Sequence, residues 1–271
     1  WEPASSAARL SRPTTLSLNP SKNSTLRFVK MISGYHQQVA EHYEKYPYPS
    51  YPWYAYGSWK HLSSVNLADW DIDGDVKNVW IAGCGTIAPL MFGRRNPDVA
   101  FYATDLSTKA LTRLRWRLNI FGIRNVKLSV EDLFESAYQE IFDAIDCYGV
   151  LHHTVSPKKA LESMAKALRP GGVLRLMVYS RDARYEIESL RKEIVDKGLK
   201  DISMIEKIIK DRGLKRIREF LTRNGVADAL LNPIVSTFDR ESFSQLLESQ
   251  PRLKTLKVSS SGNFVAFLKK T

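Results

Sequence analysis

Ile81-Ala82-Gly83-Cys84-Gly85-Thr86-Ile87 is the stretch on which the fold turns. It closes a short apolar run, 78–82, that reads as a strand, and it leads into a segment with helical patterning. Asp105 stands just past a second apolar run, 99–104. Open α/β sheets hold a nucleoside with this pair of features. The glycines let the backbone come close to the ligand, and the carboxylate accepts hydrogen bonds from ribose hydroxyls. Where many such turns carry a third glycine, this chain has Ile87.

Outward from the turn, strand and helix patterns alternate. Thr86 is placed to cap a helix with Pro89 in its first turn, and Asn96-Pro97 stops it. Ser107 caps a helix with Leu111, Leu114 and Leu118 on one face, and Gly122 ends it. Strands follow over 126–130 and 142–148. Ser156-Pro157 starts a helix, Pro170-Gly171-Gly172 breaks it, and a fifth strand covers 173–178. Such spacing predicts right-handed crossovers and a parallel sheet. Residues 182–225 read as helical throughout, too long for a simple crossover. A helix over 241–247 and two strands, 255–258 and 264–268, joined by Ser-Ser-Ser-Gly-Asn, complete the pattern as an antiparallel hairpin. The expected fold is α/β: a Rossmann-like, doubly wound, seven-stranded, mostly parallel sheet with an antiparallel terminal hairpin. The expected partition is a basic tail (1–34), an aromatic, proline-rich strap and lead-in (35–75), a nucleoside-binding half (76–181), a helical insertion (182–235) and a closing helix and hairpin (236–271). The strap reads as a helix over 36–44, followed by irregular chain rich in Tyr, Trp and Pro.

Composition narrows the class. The 271 residues contain no run of about 18 apolar residues, so no membrane helix is expected. Two cysteines, Cys84 and Cys147, end neighbouring strands; they are expected as free thiols, not as a disulfide or a metal site. Lys and Arg number 40 against 29 Asp and Glu, a net +11, which fits a polyanionic partner such as RNA or a ribonucleoprotein as well as it fits a general basic bias. Lys109, Arg113 and Arg117 recur every four residues, and Lys207, Lys210, Lys215 and Arg218 belong to a second basic stretch. These are candidate RNA contacts; the competing reading is a solvated helix face. The first 30 residues hold Arg9, Arg12, Lys22, Arg27 and Lys30 with one acid, Glu2. This resembles an organellar transit segment and suggests the mitochondrial matrix or another organelle, or else a basic tail on a cytoplasmic protein. Either way the tail is expected to be held on a partner.

Taken together, Gly83-Cys84-Gly85-Thr86, Thr104-Asp105-Leu106-Ser107, Glu131-Asp132, the run from Phe142-Asp143 to His152-His153, Leu168-Arg169-Pro170-Gly171-Gly172 and the terminal hairpin resemble a class I S-adenosylmethionine (SAM)-dependent methyltransferase. More narrowly, Tyr43-Glu44-Lys45-Tyr46-Pro47-Tyr48-Pro49, Gly149–His153 and Tyr179-Ser180-Arg181-Asp182-Ala183-Arg184 are similar to the methyltransferase domain found attached to tetratricopeptide repeats. The resemblance implies that Gly83, Cys84 and Gly85 border the methionine part of SAM. It implies Asp105 on the ribose, Leu106 against the adenine, Asp132 on the adenine amino group with Leu133 beside it, and Cys147 and Tyr148 at the methyl-transfer end. Tyr46, Tyr48 and Trp53 are candidates for a lid. His152 and His153, past the fourth strand, are candidate bases if the acceptor carries a proton; packing is the competing role. Asp146, within that strand, reads as structural.

Two departures from the family pattern bear on activity. An acid commonly stands two positions before the first glycine, and here Ile81 does. Ile87 is β-branched where a glycine would allow positive φ. An active SAM-dependent methyltransferase and a methyltransferase-like binding or assembly factor of a ribonucleoprotein, such as an organellar ribosome, both remain open at this point. The spacing Gly83-x-Gly85-x-x-Ala88 would suit a dinucleotide, but the later motifs and the hairpin oppose it.

Overall fold

The computed structural model describes residues 36–50 and 65–271. The basic tail and Trp53 lie outside the described residues. Seven strands form one sheet: β1 (Asn78–Ala82), β2 (Ala100–Asp105), β3 (Val126–Val130), β4 (Phe142–Tyr148), β5 (Leu168–Val178), β6 (Leu253–Ser259) and β7 (Phe264–Lys270). Their order is β3-β2-β1-β4-β5-β7-β6. The first five run parallel, and β7 is antiparallel to both β5 and β6. The chain reverses its winding between β1 and β4, where such sheets open a crevice at the carboxyl ends of their strands.

β1 reads Asn-Val-Trp-Ile-Ala because both faces of a central parallel strand are covered. Val79 and Ile81 pack with Phe101, Ala103 and Ala144 under α2 (Ala88–Arg95) and α3 (Thr108–Ile120). Trp80 and Ala82 face the opposite layer with Ile145, Leu174 and Leu176 under α4 (Pro157–Ala167) and α8 (Arg240–Glu248). The Trp80 indole N–H donates to Thr104 Oγ1 at 2.8 Å, which lets so large a polar-tipped side chain sit fully buried. Ser107 and Ser156 cap α3 and α4 as their positions predict.

Three local expectations fail, each for a visible reason. Thr86 is not the cap of α2; Ile87 holds that position without a side-chain bond, because the Thr86 hydroxyl donates to Pro49 O and accepts from Arg117 Nη1. Pro170-Gly171-Gly172 does not end the fourth helix at the strand's expense. β5 begins at Leu168, opposite Phe142, and absorbs these residues in a register shift. Residues 182–225 are a helical insertion, as expected, but not helical throughout. They form α5 (Tyr185–Asp196), α6 (Ile202–Asp211), two 3-10 turns and the start of α7 (Arg223–Leu231), with Gly198 and Gly213 just past the ends of α5 and α6. This insertion has its own core, in which Ile187, Leu190, Ile205, Ile209, Phe220 and Leu230 are buried together. Upstream, α1 (Gln37–Lys45) and the chain to residue 50 lie between the insertion and the sheet's carboxyl edge.

Candidate functional site

A cavity of about 370 Å³ opens at the carboxyl ends of β1, β2, β4 and β5, within the size range of small-molecule sites. Gly83 and Gly85 form its floor with φ of +66° and +58°. A Cβ on Gly83 would lie 2.4 Å from a Val150 methyl, and one on Gly85 would lie 2.8 Å from Tyr48 O. Neither position has room for a side chain. The Cys84 N–H donates to Thr104 O at 2.8 Å and fastens the turn to β2.

The two carboxylates expected to meet a nucleoside both line this cavity. Asp105 Oδ2 accepts from Gly85 N–H at 2.7 Å, and Oδ1 from Ser107 N–H at 2.9 Å. These bonds aim the carboxylate along the turn. Burial raises its pKa, and the backbone donors work against that rise. Asp132 is 1% exposed and accepts from Phe134 N–H at 3.0 Å. It also meets His36 Nδ1 at 3.0 and 2.9 Å. Because Val155 N–H donates to His36 Nε2 at 3.4 Å, Nδ1 carries the proton and donates to the carboxylate. Leu106 and Leu133 stand beside the two acids in the wall.

Ile87 does not carry the strain its sequence position predicts. Its φ is −149°, ordinary for a β-branched residue, and its side chain joins the core layer of Leu90 and Phe92 while forming part of the cavity wall. The space from Gly83 to Asp105 and Asp132 stays continuous.

The strap over this cavity is 36–50. Tyr48 and Pro49, joined by a cis peptide, cover Gly85 and line the cavity, so Tyr48 sits where a lid residue should. Tyr46 does not; it packs against the core of the insertion. Ser107 Oγ donates to Tyr43 O at 3.2 Å and Thr108 Oγ1 to Glu44 at 2.8 Å. Asn224 Nδ2 donates to Pro47 O at 2.7 Å.

Beyond the glycine turn, Tyr148, Gly149 and Met177 line the same cavity, together with Tyr43, His153 and Tyr179. Cys147, expected here, is instead fully buried in the core, because β4 turns it toward α4. Cys84 does line the cavity, and both cysteines are free, buried thiols whose pKa burial raises. His152 is also removed from the site: it stacks on Tyr179 with ring centroids 3.5 Å apart and lines no part of the cavity. His153 does line it. Its Nδ1–H donates to Ile234 O at 2.8 Å, which leaves Nε2 as the lone-pair nitrogen, buried and without a hydrogen-bond partner. Asp228 lies 3.8 Å from that nitrogen and accepts from Tyr43 OH at 2.7 Å and Tyr179 OH at 3.3 Å.

Sequence reasoning missed His36, Tyr43 as a site residue, Val150 and Asp228. Their roles come from contacts with residues 67 to 185 positions away, which leave no local signature.

Three histidines give this end of the molecule a pH dependence. Burial holds His42 down to about 4, from an ordinary 6.5, and lowers His152 and His153 as well, with Asp228 opposing the shift at His153. The unfolded chain therefore takes up protons near pH 6.5 that the fold refuses, so stability is full above that pH and falls as pH drops toward 4. The melting temperature is expected to be flat above about pH 7 and to decline below 6.5. His42→Gln should make that decline shallower; an unchanged slope would show that His42 takes no part.

The basic candidates divide. Arg117 is buried, and its Nη1 donates to Thr86 O at 2.8 Å, so it braces the glycine turn and is no surface contact. Lys109, Arg113, Lys207, Lys210 and Lys215 are exposed, and Arg218 is exposed at the cavity rim. Arg212, Arg216 and Arg223, from the same stretch, pair with Glu193, Glu186 and Glu206 within the insertion. No group of side chains suited to hold a metal occurs among the described residues, and no described helix is long and apolar enough to cross a membrane.

Residues 81–174 match the sequence model of a methyltransferase domain, a span from the glycine turn into β5. An uncharacterised protein of Synechococcus is 33% identical over 118 residues, 42% of this chain; the match spans 28% of that relative's length. Among solved structures, PKMT2 from Rickettsia typhi is similar with a TM-score of 0.58 at 17% identity, over 83% of this chain and 54% of its own. The N-methyltransferase NodS from Bradyrhizobium japonicum, solved with S-adenosylhomocysteine, has a TM-score of 0.52 at 15% identity, over 86% of this chain and 98% of its own. These likenesses establish a Rossmann-like methyltransferase fold.

Proposed function

We propose that this chain is a SAM-dependent methyltransferase. The observation that carries the reading is one continuous cavity that begins at the glycine turn and presents Asp105 and Asp132 at the carboxyl edge of the sheet. The residues fit the cofactor: a turn too tight for a Cβ, a partly buried carboxylate for ribose hydroxyls, and a second carboxylate with Leu106 and Leu133 for an adenine. When bound, SAM supplies a methyl group activated on a sulfonium. The protein's part in such a transfer is mainly alignment, worth several kcal/mol. His153 is the group that supports removal of a proton from the acceptor, since it lines the cavity and its Nε2 carries a lone pair without a hydrogen-bond partner. The likeness to domains attached to tetratricopeptide repeats gains support from the meeting of two of its three signature stretches, where Tyr43 and Tyr179 donate to one carboxylate.

Calorimetry tests the reading. S-adenosylhomocysteine is expected to bind one to one with micromolar affinity, and a folded protein that binds neither it nor SAM would end the proposal. The exposed lysines of α3 and the insertion favour RNA or a ribonucleoprotein component as the setting of the acceptor, with the assembly-factor role as its non-catalytic form. If they contact phosphates, RNA affinity falls with salt, the log-log slope steepening by roughly 0.7 to 0.9 per contact. A flat salt response would exclude that partner.

A further inference from the structure

The cavity wall contains a buried ion pair that the nucleoside reading does not use. Asp146 on β4 and Arg175 on β5 are directly paired in register, and both line the cavity. Arg175 Nε–H donates to Asp146 Oδ1 at 2.7 Å, and the two side chains are 3% and 2% exposed. They sit in a layer that is otherwise apolar: the guanidinium lies over the rings of Trp70, Phe92 and Tyr148 at 5.1, 5.6 and 4.8 Å. A buried ion pair is a weak source of stability, and an apolar pair of similar volume commonly does as well or better. Its presence in the wall of a binding cavity therefore points to a ligand.

The pair's position says which part of the ligand. Asp146 is the register partner of Ile81 on β1, and both line the cavity. Ile81 stands two positions before Gly83, where the resemblance expects an acid. The carboxylate missing from β1 is thus present at the same level of the sheet, one strand over. Asp105 and Asp132 occupy the β2 and β3 side of the turn, so the charges near its β4 side are this pair. A carboxylate beside a guanidinium complements a zwitterion: Asp146 can accept from an ammonium, while Arg175, with a fork of five N–H donors, can meet a carboxylate.

The structure assigns Asp146 and Arg175 as the site for the amino-acid tail of the cofactor, with Asp146 replacing the acid that Ile81 lacks. This rests on the SAM reading above. The rival location is Arg218 and Glu219, which line the cavity from the insertion.

Calorimetry with two ligands separates the possibilities: S-adenosylhomocysteine, which has the tail, and 5′-methylthioadenosine, which does not. Asp146→Asn is expected to weaken S-adenosylhomocysteine about tenfold and leave methylthioadenosine unchanged, the loss of one charged hydrogen bond. Adding Ile81→Asp to that variant should restore the affinity by returning a carboxylate to the neighbouring strand. Equal affinities in wild type and Asp146→Asn, or a loss of S-adenosylhomocysteine binding in Glu219→Gln and not in Asp146→Asn, would overturn the assignment. Binding of neither ligand to the wild-type protein would instead overturn the function on which it rests. Should Asp146→Asn not fold, the wild-type protein still decides. S-adenosylhomocysteine, but not methylthioadenosine, should move the Arg175 Nε–H NMR resonance, identified with Arg175→Lys; a shift at Arg218 alone would refute the site.

Discussion

Gly83→Val is expected to remove detectable binding of S-adenosylhomocysteine, and Gly83→Ala to weaken it by tenfold or more. Two costs combine. A left-handed backbone costs a residue with a Cβ about 1–2 kcal/mol, and Gly83 has a φ of +66°. The new Cβ would also lie 2.4 Å from a Val150 methyl, so the cavity wall must shift where the ligand passes. Gly122→Ala separates the two terms. That glycine also has a φ of +66°, and a Cβ there meets nothing within 4 Å. It should lose similar stability and keep its affinity. Calorimetry and thermal melts on the three variants check this; if Gly83→Ala binds as tightly as Gly122→Ala, the turn is not the floor of the cofactor site.

Asp228→Ala is expected to destabilise the protein by about 3–5 kcal/mol, measured by denaturant unfolding. Its carboxylate is 1% exposed and takes both tyrosine hydroxyls, Tyr43 from the strap and Tyr179 from the chain after β5. Burial and that carboxylate together keep both phenols protonated. Removing it strands two buried donors and leaves His153 without its nearest anion. Asp228→Asn keeps an acceptor and should lose less. A cost below about 1 kcal/mol for Asp228→Ala would show that the cluster is hydrated and holds the strap only loosely.

Most of the fold was legible because it repeats short-range patterns. The limits of β1, β3 and β4 match the sequence reading residue for residue: β1 and β4 lie inside the sheet and are largely apolar, while β3, at its edge, alternates apolar residues with Lys127 and Ser129. Legibility failed where a residue answers to something distant. Arg117 looks like one of three basic residues on a helix face, yet the fold turns it inward onto Thr86. Cys147 and Tyr148 are adjacent in sequence but sit on opposite faces of β4, one in the core and one in the cavity. His152 and His153 divide in the same way. Ile87 read as strained because the motif implied a positive φ that the turn, finished by Gly85, does not need. Asp146 read as structural because its relation to Ile81 exists only across two strands.

The strap carries an implication for how the molecule comes into being. Its hydrogen bonds close loops of 64 residues to Ser107, 96 to Asp132, 177 to Asn224 and 185 to Asp228. Contacts so remote in sequence form late, because their loop-closure entropy comes due before they return any stability. During synthesis the glycine turn and both nucleoside carboxylates leave the ribosome well before α7 does. A nascent chain that ends before Arg223 has the floor of the cavity and the Ser107 anchor of Tyr43, but neither Asn224 to hold Pro47 nor Asp228 to take the Tyr43 hydroxyl. The last fastenings of the roof over the cofactor site therefore arrive late, when the N-terminal strap meets a helix made some 180 residues later.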